Sequence, residues 1–187
     1  MTTMKTKTIP DKQKEVLAKI GKEFHLTNPM QVPRVQKIVI SVGVGSFKDK
    51  KKNEVVMDRI AKITGQKAAS RGAKKSIASY KTRMGDIVGY QVTLRGKRAI
   101  LFLEKLLNVA LPRTKDFRGI PTGAVDEMGN LTIGIREHTI FPETSDEELK
   151  DVFGMGITVV STAHGKKIGQ AYFTELGVPF QKAKTNN

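Results

Sequence analysis

Three segments of the sequence alternate between bulky apolar residues and small or polar residues, and this alternation restricts the fold more than any other feature. In the segment 35–45, Ile38, Ile40, Val42 and Val44 occupy every second position. The segments 86–96 and 131–137 repeat the pattern, with the bulky set Val88, Tyr90, Val92, Leu94, Leu131, Ile133 and Ile135. Successive side chains of a β-strand point to opposite faces of the sheet. The chain is therefore predicted to form a sheet with one bulky face and one polar face.

Apolar residues at helical spacing occur between and around these strands, near residues 16–24, 56–63, 97–108 and 168–176. Helices in these segments can cover the bulky sheet face. We find no linker of glycine and serine, no repeat and no long low-complexity block. The sequence predicts one α+β domain over residues 1–187, with a disordered polar start at residues 1–11.

The polar side of the predicted strands can be read in two ways. It is composed of small residues and hydrogen-bonding side chains, namely Ser41, Gly43, Gln91, Thr93, Arg95, Thr132, Gly134 and Arg136. Small residues permit close approach of a sugar-phosphate backbone, and the polar ones can bond to it. The alternative is an ordinary solvated face of an antiparallel sheet.

The charge of the chain favours the first reading. The formal net charge is +15 and the isoelectric point is about 10.0. A domain this basic gains free energy by docking on a polyanion, so nucleic acid is the expected partner. A basic enzyme with a solvated surface is the alternative. The absence of cysteine excludes disulfides and thiolate metal sites and is compatible with the cytoplasm, and no window reaches the length of a membrane span.

The segment 70–85 is predicted to be an extended cationic loop. It contains five cations, one ring (Tyr80) and no carboxylate, and the cations are Arg71, Lys74, Lys75, Lys81 and Arg83. Cations can contact phosphates, and an exposed ring can stack on a base or a ribose, so this composition fits RNA binding. Tyr80 could instead be an anchor that packs the loop onto the domain.

The acids are concentrated elsewhere. The segment 137–151 carries six acids against one lysine, which suggests a second partner. The acids at 143–148 could begin a helix, since acids are favourable at a helix N-terminus, form a docking surface, or hold magnesium in a nuclease. The three histidines are far apart in sequence, so no metal site is predicted. No cofactor, catalytic group or small-molecule substrate is indicated.

Several blocks of the sequence read VPRVQKIVISVGVG, ITGQKA, KKSIASYKTRMGDIVGYQVTLRG, LPRTKDFRGI, GNLTIGIREHTIFPE and GVPF. In their order and spacing these blocks resemble the bacterial large-ribosomal-subunit protein five family. The resemblance spans residues 30–180. It implies an open, mostly antiparallel sheet in two layers, with helices packed on one face and an RNA-binding polar face on the other.

The resemblance also implies a non-enzymatic function. Members of the family bind 5S rRNA and attach it in the central protuberance of the large subunit of the cytoplasmic ribosome, beside other large-subunit RNA and proteins. The residues that would contact 5S rRNA are Ser41, Gln66, Tyr80, Thr93 and Arg95. The loop 70–85 would contact peptidyl-site tRNA. The acids Glu143, Asp146, Glu147 and Glu148 would face the basic small-subunit protein thirteen in an intersubunit bridge.

One departure from the family pattern is evident. The family usually has asparagine and methionine where this chain has Ser41 and Val42. Serine keeps a donor and an acceptor but is shorter, so a bond made by the amide would be lost or bridged by water. Two rival functions remain at this point: an RNA chaperone that acts away from the ribosome, and a magnesium-dependent nuclease that uses Glu143 or Glu147.

Overall fold

Alternating burial in the strands shows how the sheet is built. The computed structural model describes residues 9–26, 28–45, 47, 50–144 and 152–181. The strands are β1 (Val35–Gly43), β2 (Ala69–Gly72), β3 (Ile87–Arg95), β4 (Leu131–Ile135) and β5 (Met155–Ser161), and the sheet order is β2-β3-β1-β5-β4. Most of the bulky set is buried, as in Ile38, Ile40 and Val42 of β1 and Val92 and Leu94 of β3. The predicted open antiparallel α+β fold is confirmed.

Two compact units make up the described chain. The first comprises the described residues up to Ile38, Arg95–Ile133, and the described residues from Thr158 onward. It includes the helices α1 (Ile9–Glu23), α3 (Gly96–Lys105, continued by a π-helical turn over Leu106–Ala110) and α4 (Lys166–Leu176). Lys19 of α1 donates to Glu175 of α4 at 2.7 Å, and this hydrogen bond raises the pKa of Lys19.

The second unit comprises Val39–Leu94 and Gly134–Ile157. It includes α2 (Lys50–Thr64) and two short 3-10 turns, His138–Ile140 and Pro142–Thr144. It also contains β2, most of β3 and the cationic segment, so most of the predicted RNA-contacting residues belong to it. The prediction that residues 1–187 form a single domain stays a prediction.

Two boundaries differ from the sequence-based expectation. Helix α1 begins at Ile9, and the Ile9 side chain is 1% exposed, so the prediction of disorder was wrong for residues 9–11. Burial of the Ile9 side chain stabilises the first turn of α1. A proline at position 10 does not interrupt this turn, because the first N–H groups of a helix have no intrahelical partner. Residues 1–8 lie outside the described part. The predicted loop 70–85 was also too long, because residues 70–72 pair with β3 in β2.

Candidate nucleic-acid interface

The polar face of the second unit has a distinctive composition. Ser41, Gly43, Gln91 and Thr93 alternate with the buried residues of β1 and β3, and all four are exposed or half-buried. None of the five strands contains an aspartate or a glutamate. The strands therefore offer a polyanion no like charge to repel it, while amide and hydroxyl groups can hydrogen-bond to it.

Arg71 lies on this face. The register pairs Arg71 with Gly89 and Ala69 with Gln91, and paired residues of neighbouring strands share a face. Arg71 Nε donates to Gln91 Oε1 at 2.7 Å. The sequence predicted Arg71 as part of the loop, and its place on the sheet is a correction that follows from pairing with β3. Gln91 was predicted on the polar face of the sheet, but it was not among the residues expected to contact 5S rRNA.

Gln66 and Thr93, which the resemblance placed at one interface, are brought together. Gln66 is half-buried, and its Nε2 donates to the Thr93 carbonyl oxygen at 3.5 Å. The Gln66 backbone N–H donates to Thr64 Oγ1 at 3.3 Å, and that hydroxyl donates to the Ile60 carbonyl at 2.7 Å. The chain that follows α2 is thereby connected to the backbone of β3.

Ser41 is exposed on β1 beside a glycine of β5. Its Oγ donates to the Gly156 carbonyl oxygen at 3.4 Å. A Cβ atom at position 156 would lie 3.2 Å from this Oγ, so the serine occupies the space over Gly156. With its proton directed to the Gly156 carbonyl, the hydroxyl presents its lone pairs as acceptors to a ligand on this face.

Gly89 is required by the close approach of β3 and β1. A Cβ atom at this position would lie 2.8 Å from the Val42 carbonyl oxygen, which is backbone and cannot rotate away. Gly43, which lies on the polar face of β1, has nothing within 4 Å of such a Cβ. Gly89 is therefore required by the packing of two strands, whereas Gly43 lies on an open surface with room for a side chain.

Residues 73–86 form a hairpin, which we call the cationic hairpin. At its base, Ala73 N–H donates to the Asp86 carbonyl at 2.8 Å, and Gly85 N–H donates to the Ala73 carbonyl at 3.0 Å. Near its tip, Ile77 and Thr82 exchange backbone bonds of 3.0 and 3.2 Å. The backbone is thus internally bonded, while the side chains of Lys74, Lys75, Lys81 and Arg83 are exposed.

Tyr80 lies in the short turn Ala78–Tyr80 beyond the Ile77 and Thr82 pair, and it is 77% exposed. The alternative in which it anchors the loop by burial is therefore wrong. Met84 is 74% exposed on the same hairpin. Because Tyr80 lies in this turn and not in a strand, it belongs to the cationic hairpin and not to the polar face.

Arg95 belongs to the first unit, at the end of β3 where α3 begins, and it is exposed. In the acidic segment, Glu143 is exposed in the turn Pro142–Thr144. The predicted small-subunit contacts Asp146, Glu147 and Glu148 lie outside the described residues.

His138 lies within this segment and is a buried structural residue. It is 1% exposed, its ring stacks on Phe153 at 4.2 Å, and its Nδ1 accepts from the Phe153 backbone N–H at 3.3 Å. Within the described ranges, no group of three histidine, aspartate or glutamate residues could hold a metal ion. In those same ranges, every helix is too short or too polar to cross a bilayer.

Comparisons with known proteins agree on one family. The family described as ribosomal protein L5 matches residues 28–83, and the model that describes the C-terminus of the same ribosomal family matches residues 87–180. Proteins named large ribosomal subunit protein uL5 are similar over most of this chain. The protein of Sulfurimonas denitrificans is 44% identical, covering 92% of this chain and 96% of that protein.

Two further relatives with the same name extend the comparison. The protein of Nitratidesulfovibrio vulgaris is 45% identical over 91% of this chain and 96% of its own length. The protein of Ureaplasma urealyticum is 42% identical over 94% of this chain and 97% of its own length. The family resemblance predicted from the sequence blocks is confirmed. The chain belongs to the ribosomal protein L5 family and is a structural, non-enzymatic constituent of the large subunit of the cytoplasmic ribosome.

Proposed function

We propose that the chain binds 5S rRNA through the polar face of its second unit and attaches this RNA in the central protuberance of the large subunit. The observation that carries the proposal is a sheet whose five strands hold no carboxylate, with Gln66, Arg71, Gln91 and Thr93 gathered on one part of it. Phosphate contacts made by cations would supply affinity, and the amide and hydroxyl groups would set the register of the RNA. Arg95, the last residue of β3, is a separate proposed contact to 5S rRNA in the first unit.

The cationic hairpin would contact peptidyl-site tRNA. Its four exposed cations project from a backbone that is bonded to itself, and Tyr80 offers an exposed ring. Cations contact phosphates without reading the sequence, and a ring can stack on any base. Such a hairpin suits a partner that changes from one tRNA to the next.

The acidic segment 137–151 would form a bridge to the basic small-subunit protein thirteen. Its support is the charge pattern, six acids against one lysine in a chain of net charge +15. Opposite charges steer two partners together and penalise wrong ones. Other large-subunit RNA and proteins would surround the remaining basic surface.

The experiment that tests the main proposal compares two RNAs of equal length. The purified protein is titrated with 5S rRNA and with an unrelated RNA, across salt concentrations from about 0.15 M upward. We expect a preference for 5S rRNA that survives competitor RNA, and a log–log salt slope of roughly −3 to −6, which corresponds to a handful of phosphate contacts. Equal binding of both RNAs would contradict the proposal.

The residue that departs from the family pattern gives a second expected result. Ser41 is exposed on the open face, so Ser41→Asn has room for the longer amide. One added hydrogen bond is worth about 1 kcal/mol, and we expect the affinity for 5S rRNA to rise about 5-fold. Ser41→Ala is the matched control, and it should leave affinity unchanged or slightly lower. An unchanged affinity for Ser41→Asn, at unchanged thermal stability, would remove Ser41 from the interface.

A further inference from the structure

The register of β2 and β3 places an arginine and a glutamine side by side. Arg71 lies opposite Gly89, which has no side chain, and Gln91 lies opposite Ala69, whose side chain is a single methyl group. Nothing large separates the two polar side chains across this part of the face. The arginine therefore reaches diagonally along the strands, and its Nε donates to Gln91 Oε1 at 2.7 Å.

This bond determines which hydrogen-bonding groups remain. A guanidinium group has five N–H donors in a fixed plane, and an amide has one oxygen and two N–H donors. With Nε committed to Gln91, the Nη1 and Nη2 groups keep four N–H bonds. With its oxygen committed to Arg71, Gln91 can offer a ligand its Nε2 donors. The pair thus presents hydrogen-bond donors and one positive charge.

We propose that this pair, the Arg71–Gln91 clamp, holds one backbone phosphate of 5S rRNA at the edge of the sheet. The proposal rests on the function proposed above and adds a defined contact to it. Arginine binds the two free oxygens of a phosphate with two parallel N–H bonds, which lysine cannot do. Gln91 is a positioning residue, because it fixes Nε and so holds the Nη fork in one orientation.

The chemistry of the clamp favours a phosphate over most base edges. The edges of adenine and cytosine present an amino donor, which would oppose the donors of the clamp. Guanine presents two acceptors on one edge and uracil presents a carbonyl acceptor, so these two bases are the alternatives. A phosphate carries a charge and these bases do not, so the salt dependence of binding separates a phosphate from a base.

The test uses the full-length protein and 5S rRNA, with four variants of the clamp and one control. Arg71→Ala removes both the positive charge and the fork of Nη groups, and Arg71→Lys keeps only the charge. Gln91→Ala leaves the fork without its positioning bond, and Gln91→Glu places a carboxylate beside the guanidinium and neutralises its charge. Lys166→Ala removes an exposed cation from α4 and is the control. Each variant is measured for affinity, for log–log salt slope, and for melting temperature, which should hardly move because Arg71 is exposed and Gln91 half-buried.

The expected pattern is specific. Arg71→Ala should lose about 10-fold or more in affinity, and its negative log–log salt slope should become less steep by about one. Arg71→Lys should lose about 5-fold with the slope unchanged, because the charge stays and the fork is lost. Gln91→Ala should lose about 3-fold, and Gln91→Glu at least as much as Arg71→Ala. Lys166→Ala should change affinity by less than about 2-fold.

Four results would overturn the proposal. If Arg71→Lys binds like the unchanged protein, a point charge suffices and no fork is formed. If Arg71→Ala loses affinity at an unchanged slope, the ligand is an uncharged base edge. If all clamp variants match Lys166→Ala while the unchanged protein still prefers 5S rRNA, the clamp is wrong and the proposed function stands. If the unchanged protein shows no preference for 5S rRNA, both fall.

Discussion

Changing Lys74, Lys75, Lys81 and Arg83 together to alanine is expected to lower the affinity of reconstituted ribosomes for peptidyl-site tRNA by about 10-fold or more. Each phosphate contact contributes about 0.7–0.9 to the steepness of the negative log–log salt slope, so loss of four contacts should make the slope less steep by about three. The loss should be largest at low salt, where counterion release is most favourable. Equilibrium binding of tRNA at several salt concentrations measures both quantities.

A matched control is available in the same chain. Lys97, Arg98, Lys166 and Lys167 are also three lysines and one arginine, all exposed, in the first turns of α3 and α4. Changing these four to alanine removes the same charge and also relieves cations from helix N-termini, where they are unfavourable. If the two quadruple variants lose equal affinity, the effect comes from net charge, and the cationic hairpin has no specific contact with tRNA.

The second large effect is expected at Gly89. A Cβ atom there would lie 2.8 Å from the Val42 carbonyl oxygen, so Gly89→Ala forces β3 and β1 apart. Overpacking of this kind typically costs about 1–3 kcal/mol in the free energy of unfolding. Urea denaturation monitored by circular dichroism gives this value directly. Because Gly89 also lies beside Arg71 and Gln91, binding of 5S rRNA should weaken in the same variant.

Gly43→Ala is the control for this experiment. The position lies on a neighbouring strand, on the polar face, and a Cβ atom there meets nothing within 4 Å. Alanine should therefore leave the free energy of unfolding nearly unchanged, or raise it slightly by restricting the unfolded chain. Equal destabilisation in the two variants would show that the close approach of β3 and β1 is not what restricts position 89.

The sheet could be predicted from the sequence because its signal is local. Strand side chains alternate with a period of two, so Ile38, Ile40 and Val42 identify a buried face without any knowledge of their partners. Strand β2 carries no such signal. Its residues Ala69–Gly72 are poor strand formers, and the strand exists through pairing with β3. Arg71 was consequently predicted as part of a loop.

Only part of the candidate site could be predicted from the sequence, because the rest depends on pairing between distant segments. Gln66 and Thr93 were expected at one interface, and the structure brings them into contact. Exposure of Tyr80 could not be read from the sequence, since a tyrosine flanked by cations is compatible with either burial or exposure. The bond between Arg71 and Gln91 depends on a register between two strands that are separated by the hairpin. Such registers are not encoded in any short window.

The internal bonding of the cationic hairpin has a consequence for speed. The backbone of Ala73 is hydrogen-bonded to Gly85, and that of Ile77 to Thr82, in the chain without RNA. Little backbone conformational entropy therefore remains to be lost when an RNA binds. A disordered arm would have to fold at every encounter and unfold at every release. If the cationic hairpin contacts peptidyl-site tRNA as proposed, a preformed arm would make a weak contact and release it quickly, as a partner exchanged at each round of elongation would require.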